Sequence, residues 1–215
     1  MPLIKRLPSA PVPRDPVPPS GEEASSDPIR GMRADDAGQR RAAARRLGLE
    51  PERYPETLAA LADALRTETV AEVRDALLWA LVRIGSEAAA RELVLLLRDE
   101  DPGRRNGALD ALRSLADRVR PLLPELLRDP DPDIRLLSTE LTRSLPPSEA
   151  SRLLAAMLEE ETHPNAVAAA VDVLASIGTA EALPVLRALA ERFRHEPFLP
   201  FAIEIAVARI EGAGS

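Results

Sequence analysis

Cysteine is absent from this 215-residue chain, and lysine nearly so, Lys5 being the only one. Without cysteine there is no disulfide scaffold, iron–sulfur cluster, zinc finger or thiol nucleophile. The two histidines, His163 and His195, leave little for a histidine-based metal site. Aromatics make up 2% of the chain: Tyr54, Trp79, Phe193, Phe198 and Phe201. A core short of aromatics is built from Leu, Ala, Val and Ile, which suits close-packed helices better than sheets. No apolar run approaches the ~18 residues of a membrane span. The start of the chain lacks the apolar core of a signal peptide, so a cytoplasmic location is expected. A net charge of −7 and a pI of about 5.1 disfavour a general nucleic-acid binder. Also missing are a Gly-rich phosphate loop, a His-Glu metal motif and a serine beside a plausible base. No catalytic, cofactor-binding or metal-binding residue is therefore expected.

Proline, by contrast, is abundant and unevenly placed. Eight of the 21 prolines fall in the first 28 residues, with Ser and acidic residues between them and no apolar period. Residues 1–29 are expected to form a disordered or polyproline-like tail, because they offer too little apolar surface to offset ordering entropy. The tail opens with three aliphatic residues, Leu3, Ile4 and Leu7, beside Lys5 and Arg6, a composition that also fits a short recognition peptide. Residues 30–215 form the expected folded domain, where Leu and Ala recur at helical spacing.

That domain repeats internally. Asp101-Pro102, Asp131-Pro132, His163-Pro164 and Glu196-Pro197 each precede a run rich in Ala and Leu. An acid at the cap followed by Pro at the first helical position is a helix start. Asp36 caps an earlier copy, and Thr69-Val70-Ala71-Glu72 reads as a capping box. Four residues after Asp36, Asp101 and Asp131 stand Arg40, Arg105 and Arg135, and Arg74 falls in the same column. Ile84-Gly85-Ser86 and Ile177-Gly178-Thr179 predict a left-handed glycine followed by a capping hydroxyl. Second helices are predicted near 54–66, 87–98, 118–128, 148–160 and 180–192. The unit is a helix pair of roughly 30–34 residues, present five to six times.

Asp131-Pro132-Asp133-Ile134-Arg135, and Val73-Arg74 followed by Leu77, Leu78, Ala80, Leu81, Ile84 and Gly85, resemble HEAT-like repeats of the phycobilisome-lyase type. The resemblance covers about residues 34–211. It implies an all-α, right-handed solenoid whose A helices form the convex side and whose B helices, those carrying the Arg column, form the concave side. It also implies the activities found among such proteins: bilin-lyase subunits, phycobilisome-degradation factors and bacterial adaptors.

On the B helices, Leu77, Ala80, Leu81 and Ile84 share one face at 100° per residue, as do Ala108, Ala111, Leu112 and Leu115, and Ala170, Val173, Leu174 and Ile177. These are the expected core. Positions one, five and eight after the Arg column point the other way. They place Trp79, Val82, Asp110, Arg113, Glu140, Arg143 and Asp172 on the concave surface, basic at its N-terminal end and apolar at its C-terminal end. The repeated Asp and Arg are expected to be structural, and Asp110–Arg113 and Glu140–Arg143 to be i,i+3 pairs. Residues 193–201 hold three of the five aromatics. Their expected role is to cap the open end of the core, with a binding patch of Phe198 and Phe201 as the alternative.

The function expected is a non-enzymatic, monomeric adaptor that binds another protein in the concave groove, without cofactor or membrane. A bilin-lyase-like or chromophore-protein chaperone is the alternative drawn from the resemblance. Nucleic-acid binding comes third, against the acidic charge.

Overall fold

The computed structural model describes residues 27–213. The expected tail falls outside them except for its last three residues, which cap and begin the first helix. The described residues contain thirteen α-helices and no strand: α1 (Pro28–Gly31), α2 (Ala37–Leu49), α3 (Thr57–Thr67), α4 (Ala71–Ile84), α5 (Glu87–Leu96), α6 (Pro102–Ser114), α7 (Ala116–Val119), α8 (Leu123–Leu126), α9 (Pro132–Leu141), α10 (Pro147–Glu160), α11 (Pro164–Ile177), α12 (Leu183–Arg192) and α13 (Leu199–Ala213).

Helices α2, α4, α6, α9, α11 and α13 pack on one another in that order as a continuous B layer. Helices α3, α5, α7 with α8, α10 and α12 form the A layer, where neighbours meet less closely. The third A helix is interrupted by a 3₁₀ turn at Arg120–Leu122, where Pro121 and Pro124 lack the amide hydrogens a continuous helix needs.

The helix starts follow the cap chemistry. The carboxylates of Asp36, Asp101 and Asp131 accept from the amides of Gln39, Arg104 and Asp133, and the Ser86 hydroxyl accepts from Ala89. Gly85 closes α4 at φ 59°, a conformation that glycine adopts without strain. Three starts differ from expectation. Glu196-Pro197 lies in a turn, and α13 begins only at Leu199. Val70, not Thr69, is the cap residue of α4, and Glu68 accepts its amide instead. Gly178 has φ −63°, and Thr179, at the start of the 3₁₀ turn Ala180–Ala182, donates its amide to the Ser151 hydroxyl while its own hydroxyl is buried without a partner.

The Arg column ties the turns together. Arg40, Arg105 and Arg135 each donate from Nη1 to two carbonyls just before their own helix, at 2.7–3.1 Å. Arg40 also grips Glu68 with two hydrogen bonds, and Arg135 grips Glu161 likewise. Such paired, charge-assisted bonds are short and directional. Arg74 reaches Asp101 at 3.2 Å. Arg105 has no such forward partner; Asp129, in the turn ahead, is held by Arg98. The carboxylates of Glu68, Asp99, Asp129 and Glu161, each two residues before a cap residue, accept the amide two residues on.

The apolar core consists of two clusters, one running from Met32 to Ala150 and the other from Leu127 to Ile210. They part around α9. There Ser138, Thr139 and Thr142 are fully buried where α6 places Ala108, Leu109 and Leu112. Thr139 and Thr142 donate their hydroxyls to the carbonyls of Leu136 and Thr139, and the Ser138 hydroxyl has no partner. The α6–α9 contact is the loosest of the B layer.

Leu112→Ala is expected to cost about 2–5 kcal/mol, because its fully buried side chain leaves a cavity. Ser138→Ala is expected to raise stability by about 1 kcal/mol by removing an unpaired hydroxyl. Urea unfolding checks both. The pH dependence follows from the turn carboxylates. The Arg40 hydrogen bonds, outweighing burial, hold Glu68 below its ordinary 4.5. At Glu161 burial pushes the carboxyl up, but Arg135 and the backbone amides together bring it below 4.5. A carboxyl lowered on folding contributes stability at pH above its unfolded value and loses it as pH falls through the folded value. Unfolding at a series of acidic pH values should therefore show a loss beginning near 4.5, and Glu161→Gln should make that loss shallower.

Candidate functional site

On the face of each B helix turned away from the core, the residues one, five and eight after the Arg column line up along the stack. On α2 these are Arg41, Arg45 and Gly48, and on α4 Asp75, Trp79 and Val82. Trp79 is 39% exposed. It reaches α2 because Gly48 has no side chain. A Cβ there would lie 3.1 Å from Trp79 Cζ3 and 2.7 Å from the Ala80 Cα, so the glycine sets both the α2–α4 approach and the seat of the indole.

Farther along, the five charged candidates join into one ladder across three helices. Arg113 donates to Asp110 at 2.6 Å within α6 and lies 3.5 Å from Glu140 on α9. Arg143 donates to Glu140 at 2.9 Å and to Asp172 on α11 at 2.5 Å. The hydrogen bonds that Arg143 donates to Glu140 and Asp172 outweigh burial and raise its guanidinium above its ordinary value. The expected i,i+3 pairs are present, one within α6 and one from α9 to the 3₁₀ turn Thr142–Ser144 that follows it. The links from Arg113 to Glu140 and from Arg143 to Asp172 join successive repeats and were not foreseen, although the five-and-eight spacing of adjacent columns puts Arg beside acid.

Beyond the ladder the face turns apolar, with Ala168 and Ala175 on α11 and Phe201 and Ile205 on α13. The cap expected of Phe198 and Phe201 is not formed: Phe198 is 86% and Phe201 67% exposed. Leu199, Ile203, Ala206 and Ile210, one face of α13, close the core, together with Phe193 under the Arg192 guanidinium. Phe198 also has φ 70°, strained for an aromatic residue.

Trp79 with Val82 and the ladder therefore occupy one face, while Phe198 lies just before α13 at its far end. Among the described residues no group of three or more His, Cys, Asp and Glu side chains is placed to hold a metal ion, and no helix is long and apolar enough to cross a membrane. The imidazole Nδ1 of His163 is buried without a partner, and its backbone amide donates to Glu161. Two hollows, of about 480 and 230 Å³, lie away from this face, beside the Arg40–Glu68 and Arg135–Glu161 pairs.

A HEAT-repeat family model matches residues 28–113 and 119–196. Among solved structures, the chain is similar to the archaeal HEAT-like repeats protein from Thermococcus onnurineus NA1, at 20% identity over 87% of each chain with a TM-score of 0.50. It is also similar to a chain from structural work on microtubule plus-end tracking by XMAP215, CLIP-170 and EB1, at 12% identity, covering 86% of this chain and 90% of that one, with a TM-score of 0.56. The complex of CpcE and CpcF of phycocyanin lyase from Nostoc sp. PCC7120 aligns at 16% identity over 93% of this chain and 100% of that one, with a TM-score of 0.40. No curated protein sequence matches the chain.

Phe198→Ser and Phe201→Ser are each expected to change unfolding free energy by less than about 1 kcal/mol, as exposed positions do, whereas Ile203→Ala is expected to cost about 2–5 kcal/mol. Chemical denaturation of the three variants separates side chains that close the core from side chains that stand on it.

Proposed function

Since the chain belongs to the HEAT-repeat family, we propose that it is a non-enzymatic adaptor that binds another protein along the face of its B helices. One observation carries this reading. The exposed large apolar side chains gather on the B layer and its C-terminal approach: Leu49 on α2, Trp79 on α4, Phe198 before α13, and Phe201 and Ile205 on α13, against Leu95 on the A layer. Exposed apolar groups aligned on one face of a solenoid are what a protein partner buries.

The partner site consists of Trp79, Val82, Asp110, Arg113, Glu140, Arg143 and Asp172, extended at its far end by Phe198 and Phe201. The side chains have distinct roles. Trp79 offers a large rigid surface that loses little rotamer entropy on binding. Its indole N–H gives a partner carbonyl a donor. Asp110, Arg113, Glu140, Arg143 and Asp172 are already mutually paired, so a partner lies across them without having to neutralise them. They set polar contacts and register more than affinity.

Capture from a lysate of the native organism with wild-type and Trp79→Ala bait tests the reading. A partner retained by the wild type should bind the variant at least about 2 kcal/mol more weakly. The melting temperature should stay nearly unchanged, because the ring is exposed. A large loss of melting temperature with unaltered affinity would make Trp79 a packing residue and overturn the assignment.

A further inference from the structure

From α6 to α11 the charges of the B face are paired with one another, but those of its first helix are not. Arg41 and Arg45 stand one turn apart on the exposed side of α2 and make no ion pair or hydrogen bond among the described residues. Like charges at this spacing destabilise a helix. The other two arginines of α2 are engaged, Arg40 with Glu68 and Arg46 with the Tyr54 hydroxyl. Asp75, in the Arg41 column of the next helix, is not within ion-pairing distance of it. The free guanidiniums are followed along α2 by Gly48, against which the Trp79 ring sits, and by Leu49, 60% exposed. Two unpaired cations therefore adjoin an exposed apolar surface that includes the indole.

Resting on the groove reading above, we infer that this end of the B face takes an acidic segment of a protein partner. Its carboxylates lie on Arg41 and Arg45, and an adjacent apolar side chain lies on Trp79 and Val82. A guanidinium matches a carboxylate with two parallel hydrogen bonds, and the side chain that follows gains the apolar contact. A peptide fits better than a nucleic acid. The cationic surface is one helix wide, and the next helix presents Asp75, which repels a continuing polyanion but not a short acidic segment that turns apolar. The overall charge of −7 acts in the same direction.

A random-peptide phage library selected on the full-length chain tests this, with fluorescein-labelled selected peptides then titrated by anisotropy. The expected result is enrichment of peptides with two or more Asp or Glu beside an aliphatic or aromatic residue. Arg41→Glu combined with Arg45→Glu should weaken these peptides at least about tenfold and, as the target of a fresh selection, enrich Lys and Arg instead. Arg45→Gln should weaken them less, and added salt should weaken wild-type binding. Circular dichroism should be unchanged, both positions being exposed. Peptides that carry no acidic bias but lose affinity in Trp79→Ala would overturn this inference and leave the groove reading standing. Peptides indifferent to Trp79→Ala would overturn the groove reading as well. Tighter binding of a labelled oligothymidine than of any selected peptide would assign the cations to nucleic acid and overturn the proposal.

Discussion

No helix of this chain can bury its own apolar stripe. Each B helix is covered only when the next one lies against it, and the side chains at that contact decide how near it comes. The choice is small against large: Ala80, Ala108 and Ala170 at the approach, and Leu81, Leu112 and Leu174 filling the space behind. Where the two chains of atoms come nearest, at Gly48 against Ala80, even a methyl group is excluded. Everything else follows from this dependence on neighbours. The turns must present each helix at the right height, which the Arg column does by reading two carbonyls behind it and, in three repeats, one carboxylate ahead.

The same spacing organises the opposite face. Helices held a fixed distance apart bring side chains of equal phase into reach of each other, so Asp110, Arg113, Glu140, Arg143 and Asp172 become one ladder instead of separate pairs. A surface that satisfies its own charges asks little of a ligand. The demands are left at the ends, with Arg41, Arg45 and Trp79 on one side and Phe201 and Ile205 on the other. A solenoid arranged so has a direction along its face, set by which end of the partner is charged.

Much of this was legible in the chain itself, because helix capping and stacking write periodic signals. Asp-Pro and the Arg column fixed the repeat register, and the face of α4 and α6 that is buried is the one the 100° spacing gives. The acids of the turns were missed although they too are periodic: Glu68, Asp99, Asp129 and Glu161 each stand two residues before a cap residue, hidden by the alternation of Asp with Glu. The error at Phe198 and Phe201 had a different origin. Bulk suggests closure, while the spacing of Leu199, Ile203, Ala206 and Ile210 assigns the core side of α13 and leaves both rings outside. What spacing does not carry is distance between helices, and so neither the seat of Trp79 on Gly48 nor the looseness at α9 could be read in advance.

Three features coincide at that looseness. The core changes from one cluster to the other, Arg105 lacks a carboxylate ahead of it, and the ladder has its longest link, 3.5 Å from Arg113 to Glu140. The stack is thus most loosely packed midway between Trp79 and Phe201. A bend at this joint alters the separation of the two ends while each keeps its local geometry, much as calipers open without changing their tips. Under the groove reading, the gap between the two ends is what this joint sets.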